Sequence, residues 1–282
     1  MKINKMKLFA IVMLLNSFNA IAIEKDVDAK LIGSLPAAPS GYKWLIIKEL
    51  SDEFDNDTLD LTKWNPLHPY WKGREPSKFS PNNVMLKAGC LELRSSSIVN
   101  DLTKVPNPNK DFWVNAACIS SKMSIAFYGY YQARVKSSRL SMTSAFWLQG
   151  KYSEIDVIEN LGASAKYPES GMKMLMNTHY FSKGWENDKN TSKEWKLTEH
   201  TSDNFQVYGV WWIDKDNIWM YHNGVKVAEF KTGGEFLEKM YLFFDTEVFT
   251  WHGIPSIESL NDSTKNTMQV DWVRSWQLIS VN

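Results

Sequence analysis

The sequence predicts an all-β protein, built as a sandwich of two stacked antiparallel sheets. Short apolar and aromatic segments recur along most of the 282 residues, separated by turn-forming residues. The Asn223-Gly224 pair is a strong two-residue hairpin signal, because type I′ turns need positive φ at both central positions. Few stretches show an apolar period of 3.6 residues, so helices contribute little. Together these observations favour a sandwich that forms one domain.

The predicted strands follow one another at short intervals. The first hairpin joins residues 84–86 to 91–93 through the turn Lys87-Ala-Gly89. A second hairpin is centred on Asn223-Gly224, and residues 256–260 predict one short helical turn. In chain order, the other strands are predicted at residues 128–135, 143–148, 155–158, 173–180, 205–213, 218–221, 225–230, 241–249 and 268–279.

The first 22 residues predict a secretory signal peptide. A basic start is followed by an apolar run over residues 8–15 and by the small-residue cleavage site Ala20-Ile-Ala22. The run is too short to span a membrane. We therefore expect a secreted protein, extracellular or periplasmic. Residues 23–40 are polar and then rich in Pro and Ser, which predicts a linker before a single domain over residues 41–282.

Charge and cysteine content exclude several classes of function. The chain has 32 basic and 32 acidic residues, and removal of three lysines with residues 1–22 leaves 29 − 32 = −3. Such a chain has no general attraction for nucleic acid or anionic membranes. Cys90 and Cys118 lack the spacing of a structural zinc site, and either one disulfide or two separate thiols fits them. We expect a monomer.

Residues 153–160, Ser-Glu-Ile-Asp-Val-Ile-Glu-Asn, place three carboxylates on one predicted strand. Glu154 and Asp156 share one face of a regular strand, while Ile155 and Val157 point into the core. Glu159 falls on the opposite face unless a β-bulge at residues 157–158 adds one residue. Bulges occur next to active sites, where they redirect a side chain. We therefore predict a bulge that brings all three acids to one surface.

Crowded carboxylates repel one another, which separates their pKa values. Retaining glycoside hydrolysis needs this separation, because one carboxylate attacks the sugar while the other donates a proton. Glu154 and Glu159 are about four strand steps apart, ~13 Å on a straight strand. Retaining carboxyl groups lie ~5–5.5 Å apart, so the strand must bend. A calcium site or a polar sheet face is the alternative for the triplet.

The segment Glu154-Ile-Asp-Val-Ile-Glu159 resembles the signature of glycoside hydrolase family 16, and the resemblance extends from about Trp44 to the C-terminus. It implies a β-jelly-roll with a substrate cleft on its concave face. By this resemblance Glu154 is the nucleophile, Glu159 the acid/base and Asp156 the residue that balances the proton between them. Trp147 is similar to the aromatic floor beside the cleavage site.

Within that family the chain resembles the agarase and porphyranase branch, which cuts β-1,4 bonds of red-algal galactans with retention. His179 in Asn177-Thr-His-Tyr180 is similar to a histidine that contacts sugar near the cleavage point; otherwise it is a structural histidine. Trp71 and Arg74 in Trp-Lys-Gly-Arg resemble a porphyranase pair that receives a galactose 6-sulfate. An ordinary surface pair in a loop, of Arg74 with Glu75 or with another acid, is the alternative.

The resemblance also implies one structural Ca²⁺ on the convex side, far from the cleft, with no cofactor required for catalysis. The matching positions are Glu53, Gly89 and Asp271. Backbone and carboxylate oxygens suit this hard cation. The acids around Glu53 fit ordinary loop residues equally well.

Three classes of function remain open from the sequence: a hydrolase, a non-catalytic binding module and a transglycosylase. A hydrolase of sulfated agar (porphyran) is favoured over a β-agarase acting on neutral agarose, and this preference depends on Arg74. A non-catalytic galactan-binding module would keep the aromatic face but would have no use for Glu154 and Glu159 together. A transglycosylase would use the same carboxylates.

Overall fold

The computed structural model describes residues 35–281. The predicted signal peptide and most of the predicted linker lie outside this range. The described residues from Ala38 onward belong to one compact unit, whose first strand begins at Tyr42. Among the described residues, no helix is long and apolar enough to cross a membrane.

Strands form nearly all of the regular structure. In chain order they are β1 (Tyr42–Ile46), β2 (Trp64–Asn65), β3 (Ser77–Phe79), β4 (Val84–Lys87), β5 (Cys90–Arg94), β6 (Ser96–Ser97), β7 (Val114–Ala116), β8 (Cys118–Ser121), β9 (Gly129–Lys136), β10 (Thr143–Gln149), β11 (Ser153–Leu161), β12 (Lys173–Tyr180), β13 (Lys189–Lys196), β14 (Gln206–Trp212), β15 (Asn217–His222), β16 (Val225–Lys231), β17 (Tyr241–Asp245) and β18 (Thr267–Ser280).

The helical elements within residues 35–281 are short. In this range one α-helix, α1 (Ile257–Asn261), lies at the predicted helical turn, and the Ser256 side chain caps it by accepting from the Ser259 N–H. The 3-10 turns are Lys48–Leu50, Pro81–Asn83, Leu102–Lys104, Pro168–Met172, Trp185–Asn187 and Thr250–His252.

The strands form two large antiparallel sheets, as the sandwich prediction requires. One has the order β16-β15-β14-β9-β18-β5-β4, with β1 also paired to β18. The other has the order β13-β12-β11-β10-β17-β8-β2. A small third sheet, β3-β7-β6, contains a parallel pair, β3 with β7, which the sequence did not predict.

The inner faces of the two large sheets form the main core. Strand alternation directs Ile155 and Val157 of β11 towards this core, where they meet residues such as Val210 and Trp212 of β14. The opposite face of the seven-stranded sheet is therefore free to present polar side chains. A second apolar cluster, which includes Trp113, Trp147 and Phe243, packs on that outer side.

The two predicted hairpins are confirmed. His222 pairs with Val225 across Asn223 and Gly224, both of which have positive φ. Lys87 pairs with Cys90 across the two-residue turn of Ala88 and Gly89. Cys90 and Cys118 are both free thiols, which fits the second of the two alternatives for them.

Seven strands were not predicted: β1, β2, β3, β6, β7, β8 and β13. Several of these have only two or three residues, too few to show a period. β13 is long but contains three lysines and little apolar surface, and it forms one edge of its sheet. Edge strands are often charged, because charge discourages pairing with another chain.

Candidate active site

The central strand β11 contains the predicted bulge. Phe146 pairs with Ile158 and Trp147 pairs with Asp156, so Val157 has no partner across the β10 pairing. The extra residue returns Glu159 to the face that Glu154 and Asp156 occupy, while Val157 and Ile158 both remain in the core. The register that the sequence required is confirmed.

The three acids line one cavity of about 470 Å³ on the outer face of the seven-stranded sheet. Neighbouring strands add a row of side chains beside each acid. Glu154 lies between Gln149 of β10 and His179 of β12. Asp156 lies between Trp147 and Asn177.

The third row contains an acid that the sequence analysis missed. Ala145 of β10 pairs with Glu159 on one side and with Asp245 of β17 on the other. The small alanine side chain leaves space between the two carboxylates. Glu247 follows two residues later, and both missed acids line the cavity. Their spacing, Asp-Thr-Glu, repeats the alternation of Glu-Ile-Asp in β11, and this was the available signal.

Burial of five carboxyl groups raises their pKa values. Desolvation, and then repulsion from Glu159, raise the pKa of Glu154 to about 8. Desolvation, and then Glu247, raise the pKa of Glu159 to about 7. The pKa values of Asp156 and Asp245 lie well above the usual value, mainly because of burial. The array therefore retains protons at neutral pH.

Hydrogen bonding distinguishes the two outer glutamates. Gln149 Nε2 donates to Glu154 Oε2. Tyr70 Oη donates to Gln149 Oε1 at 2.9 Å, which directs the amide nitrogen towards Glu154. A donor to a carboxylate favours its ionised form. Although burial raises the pKa of Glu154 most, this amide opposes the rise.

Trp71, Arg74 and Trp147, all predicted to bind substrate, line the same cavity as the acids. His179 is not among the residues that line it. It lies beside the carboxylates, with Nε2 at 3.5 Å from Asp156 Oδ2 and 3.9 Å from Glu154 Oε1. His179 therefore lies against two of the acids, and its predicted contact with sugar stays a prediction.

Arg74 does not pair with Glu75. Its Nε donates to Glu247 Oε2 at 2.9 Å. Burial lowers the pKa of Arg74, but the charge of Glu247 and this hydrogen bond outweigh it and raise the pKa. The guanidinium carbon lies 5.2–5.6 Å from the ring centroids of Trp71, Phe249 and Trp251.

His68, also missed by the sequence analysis, holds Trp71 in place. Its Nδ1 accepts from the Trp71 backbone N–H at 3.1 Å. The ring stacks on Phe243 with centroids 4.6 Å apart. Burial lowers the pKa of His68 to about 4, so the ring is neutral at physiological pH.

The predicted calcium residues are occupied by other interactions. Glu53 receives two hydrogen bonds from Arg274, both at 2.8 Å. Asp271 pairs with Arg134 at 2.6 Å, and Gly89 forms a turn with positive φ. Arginine thus pairs with both carboxylates, so a Ca²⁺ ion bound through them would have to compete with these pairs.

Another group within residues 35–281 has metal-ligand spacing. One ligand atom each from Glu154, Asp156 and His179 lie within 4.8 Å of one another. However, Asn177 Nδ2 already donates to His179 Nε2 at 2.8 Å. A metal ion would have to displace that hydrogen bond.

Comparison with known proteins identifies this arrangement. A family model described as the glycoside hydrolase family 16 domain of β-porphyranases A–D matches residues 44–278. The chain belongs to this family. It is therefore a glycoside hydrolase of family 16, and its fold is the family's jelly roll.

Individual relatives agree with the family assignment. The chain is 32% identical to β-porphyranase E of Zobellia galactanivorans, over 86% of this chain and 91% of the relative. It is 30% identical to β-porphyranase B of Phocaeicola plebeius, over 92% of each chain.

Solved structures share the fold. The crystal structure of a β-porphyranase from the human gut bacterium Bacteroides plebeius superposes with a TM-score of 0.78 and 29% identity, covering 91% of this chain and 99% of that one. A β-agarase A in complex with oligoagarose superposes with a TM-score of 0.76 at 19% identity, covering 87% and 97%. At that identity the likeness concerns the fold alone.

Proposed function

We propose that this family 16 enzyme is a retaining endo-hydrolase of β-1,4-galactosidic bonds in porphyran, the sulfated form of agar. The observation that supports this substrate most strongly is Arg74, a fixed guanidinium on the wall of the cavity that contains the acids. The similarity of the chain to β-porphyranases B and E also supports this choice.

Glu154 acts as the nucleophile and Glu159 as the acid/base. Glu154 attacks the anomeric carbon while Glu159 donates its proton to the leaving oxygen, which gives a covalent glycosyl-enzyme. Water then attacks the anomeric carbon, and Glu159 takes a proton from it as the sugar departs from Glu154. The pKa values of both glutamates are raised, to about 8 for Glu154 and about 7 for Glu159, so the pKa values do not separate the two roles. The Gln149 donor, which favours the ionised form, supports Glu154 as the nucleophile.

Asp156 holds a proton between the outer glutamates. Its side chain is 4% exposed, and within residues 35–281 its Oδ2 has no hydrogen-bond partner. Both Glu154 and Glu159 raise its pKa after burial does. Glu154 loses its charge when it forms the glycosyl bond. The repulsion on Asp156 then falls, so the pKa of Asp156 falls in this step of the reaction.

A sulfate ester fits the geometry at Arg74. The guanidinium has five N–H donors in a planar fork, and one of them is committed to Glu247. Other donors remain for an oxyanion, and 43% of the side chain is exposed. Trp71, Phe249 and Trp251 supply flat apolar faces beside it, which suit the ring of the sugar that bears the sulfate.

Endo action follows from the shape of the cleft. A cavity of about 390 Å³ shares Glu159 with the central one. On another side, a cavity of about 400 Å³ shares Tyr70, Gln149 and Trp185 with it. A chain that enters through one of these cavities and leaves through the other places an internal bond at the acids.

Further parts of the proposal concern the protein as a whole. We propose that it is secreted, after removal of residues 1–22, and that it acts as a monomer. Mass spectrometry of the exported protein checks the N-terminus, and light scattering checks the mass in solution. A bound Ca²⁺ stays a prediction, and metal analysis of the purified protein checks it.

The decisive experiment is product analysis on purified porphyran and agarose side by side. Glu154→Gln and Glu159→Gln should each remain folded and lose hydrolysis of both polymers. Arg74→Ala should lower kcat/KM on porphyran about 10- to 100-fold, because a hydrogen bond to a charged group contributes ~1.5–3 kcal/mol. The loss on agarose should be less than about threefold.

Arg139→Ala is the matched control, since Arg139 forms an exposed pair with Asp203. Equal losses on both polymers in Arg74→Ala would rule out a sulfate-reading role and favour the agarase alternative. Full hydrolysis by either glutamine variant would reject the assignment of the carboxylates. Binding of both polymers without cleavage would instead indicate a galactan-binding module.

A further inference from the structure

His179 is held by polar groups on both ring nitrogens. Nδ1 lies 2.6 Å from Asp188 Oδ2, in the segment that follows the 3-10 turn Trp185–Asn187. Nε2 lies 2.8 Å from Asn177 Nδ2 and faces Asp156 and Glu154. The imidazole therefore joins the acidic array to a carboxylate outside the cavity wall.

The orientation of the Asn177 amide shows which ring nitrogen carries the proton. Asn177 Oδ1 accepts from the Thr178 backbone N–H at 2.9 Å and from Ser192 Oγ at 3.1 Å. A backbone N–H can only donate, so this side of the amide is the oxygen. The other side is the NH₂ group, which donates to His179 Nε2.

His179 Nε2 must then be an acceptor, because two N–H groups cannot hydrogen-bond to each other. The proton lies on Nδ1, where Asp188 accepts it at 2.6 Å. Nε2, which accepts from Asn177, therefore carries no N–H, and it lies 3.5 Å from Asp156 Oδ2 and 3.9 Å from Glu154 Oε1. The other tautomer would direct an N–H at Asp156 and Glu154 and would favour their ionised forms.

We propose that Asp188 is a positioning residue, which fixes the orientation and tautomer of His179 so that an acceptor and not a donor faces Asp156 and Glu154. This inference rests on the proposed function for its catalytic consequence. With an acceptor beside it, Asp156 keeps the proton that it holds between the outer glutamates. Asp188 itself touches neither the central cavity nor a reacting atom.

The environment of Asp188 supports this role. Its side chain is 11% exposed, and Oδ2 also accepts from Asn190 Nδ2 at 3.2 Å. Within the described part of the chain, Oδ1 is buried without a hydrogen-bond partner. A buried carboxylate with one unpartnered oxygen is costly, and the hydrogen bond to His179 gives it a function beyond shaping the turn.

A purely structural role is the competing explanation. The Asp188 backbone N–H closes the turn by donating to Trp185 O at 3.2 Å, and Trp185 lines the cavity. Loss of the Asp188 side chain could disturb Trp185 and so weaken substrate binding. A second substitution distinguishes the two explanations. If Asp188 acts through Trp185, substitution of Trp185 abolishes the effect of losing Asp188; if it acts through His179, substitution of His179 does so.

The first test needs no substrate. Nitrogen-15 NMR of the imidazole groups in the free protein should show His179 with a protonated Nδ1 and an unprotonated Nε2 at pH 7. The chain has five histidines, and loss of one signal set in His179→Gln assigns the resonance. In Asp188→Ala the imidazole should exchange between its two tautomers, so the chemical shifts of its two nitrogens should move towards averaged values. A protonated Nε2 in the wild type, or an unchanged signature in Asp188→Ala, would overturn the proposal.

The second test is a double-mutant cycle, on whichever galactan the wild type hydrolyses. Asp188→Ala should lower kcat about 10- to 100-fold, the scale of a misplaced group near the reacting atoms, with KM changed less than about twofold. Asp188→Asn keeps an acceptor oxygen and should recover most of the loss. In a His179→Gln background, Asp188→Ala should have no further effect, whereas with Trp185→Ala its effect should persist.

A wild-type kcat in Asp188→Ala, or the same loss with and without His179, would refute the positioning role. These results are distinguishable from failure of the proposed function. If the wild type hydrolyses neither galactan, the proposed substrate is wrong, while the NMR result still decides the tautomer.

Discussion

Glu154→Gln should stabilise the protein at neutral pH while it abolishes catalysis. In the folded protein, burial and then Glu159 raise the pKa of Glu154 from 4.5 to about 8. Because the folded state binds the proton more tightly than the unfolded chain, stability falls as the pH rises between these two values. At low pH, both states are protonated and the destabilisation is absent.

The size of the effect follows from the shift. At pH 7 the wild type is 2.5 pH units above the unfolded value, and each unit is ~1.36 kcal/mol, so the buried glutamate costs about 3 kcal/mol. The side chain is only 13% exposed, so solvent screens little of this. For a domain of this size, ~1 kcal/mol changes Tm by about 2–4 °C. Glu154→Gln should therefore raise Tm by roughly 6–12 °C at pH 7.

Thermal unfolding followed by circular dichroism at pH 4 and pH 7 measures this difference. The matched control is Glu235→Gln, a substitution at a glutamate 57% exposed beside Lys215, which should change stability by less than about 1 kcal/mol at either pH. The reasoning is refuted if Glu154→Gln gains as much Tm at pH 4 as at pH 7. It is also refuted if the variant is less stable than the wild type at pH 7.

Two further predictions concern neighbours of the glutamates. After burial, Glu247 is the next largest cause of the raised pKa of Glu159; Glu247→Gln should move the basic limb of the kcat/KM profile to lower pH, and an unmoved limb would contradict this. Tyr70→Phe removes the hydroxyl that orients Gln149 and should lower kcat several-fold, about the effect of losing one hydrogen bond. Tyr152→Phe, an exposed tyrosine, is its control, and equal kinetics in the two variants would count against the role of Tyr70.

The sequence predicts most of what strand alternation determines. The three acids of β11 and the bulge between them followed from the period of two, because only an extra residue brings Glu159 to the face of Glu154. The two hairpins followed from turn chemistry. These are local properties, fixed by residues close together in the chain.

What the sequence could not predict depends on which strands are neighbours. Asp245 and Glu247 repeat the spacing of Glu154 and Asp156, yet nothing in one strand shows that β17 lies beside β10. Likewise, Glu247 is 173 residues from the Arg74 that it holds, and the sequence carries no signal for a pair so far apart in the chain. Asp188 lies in an irregular turn, and its contact with His179 depends on how β12 and β13 meet.

The bulge at Val157 also affects how strictly the pairing register of β11 is specified. A strand without a bulge can shift its register by two residues while each side chain stays on the same face of the sheet. In β11 any slip would move the unpaired residue away from its place opposite Phe146 and Trp147. A slip of one residue would put Glu159 into the inter-sheet core, where an unpaired charge costs several kcal/mol. A misregistered molecule is therefore less stable, so the register that folds best is also the one in which both glutamates of β11 line the cavity.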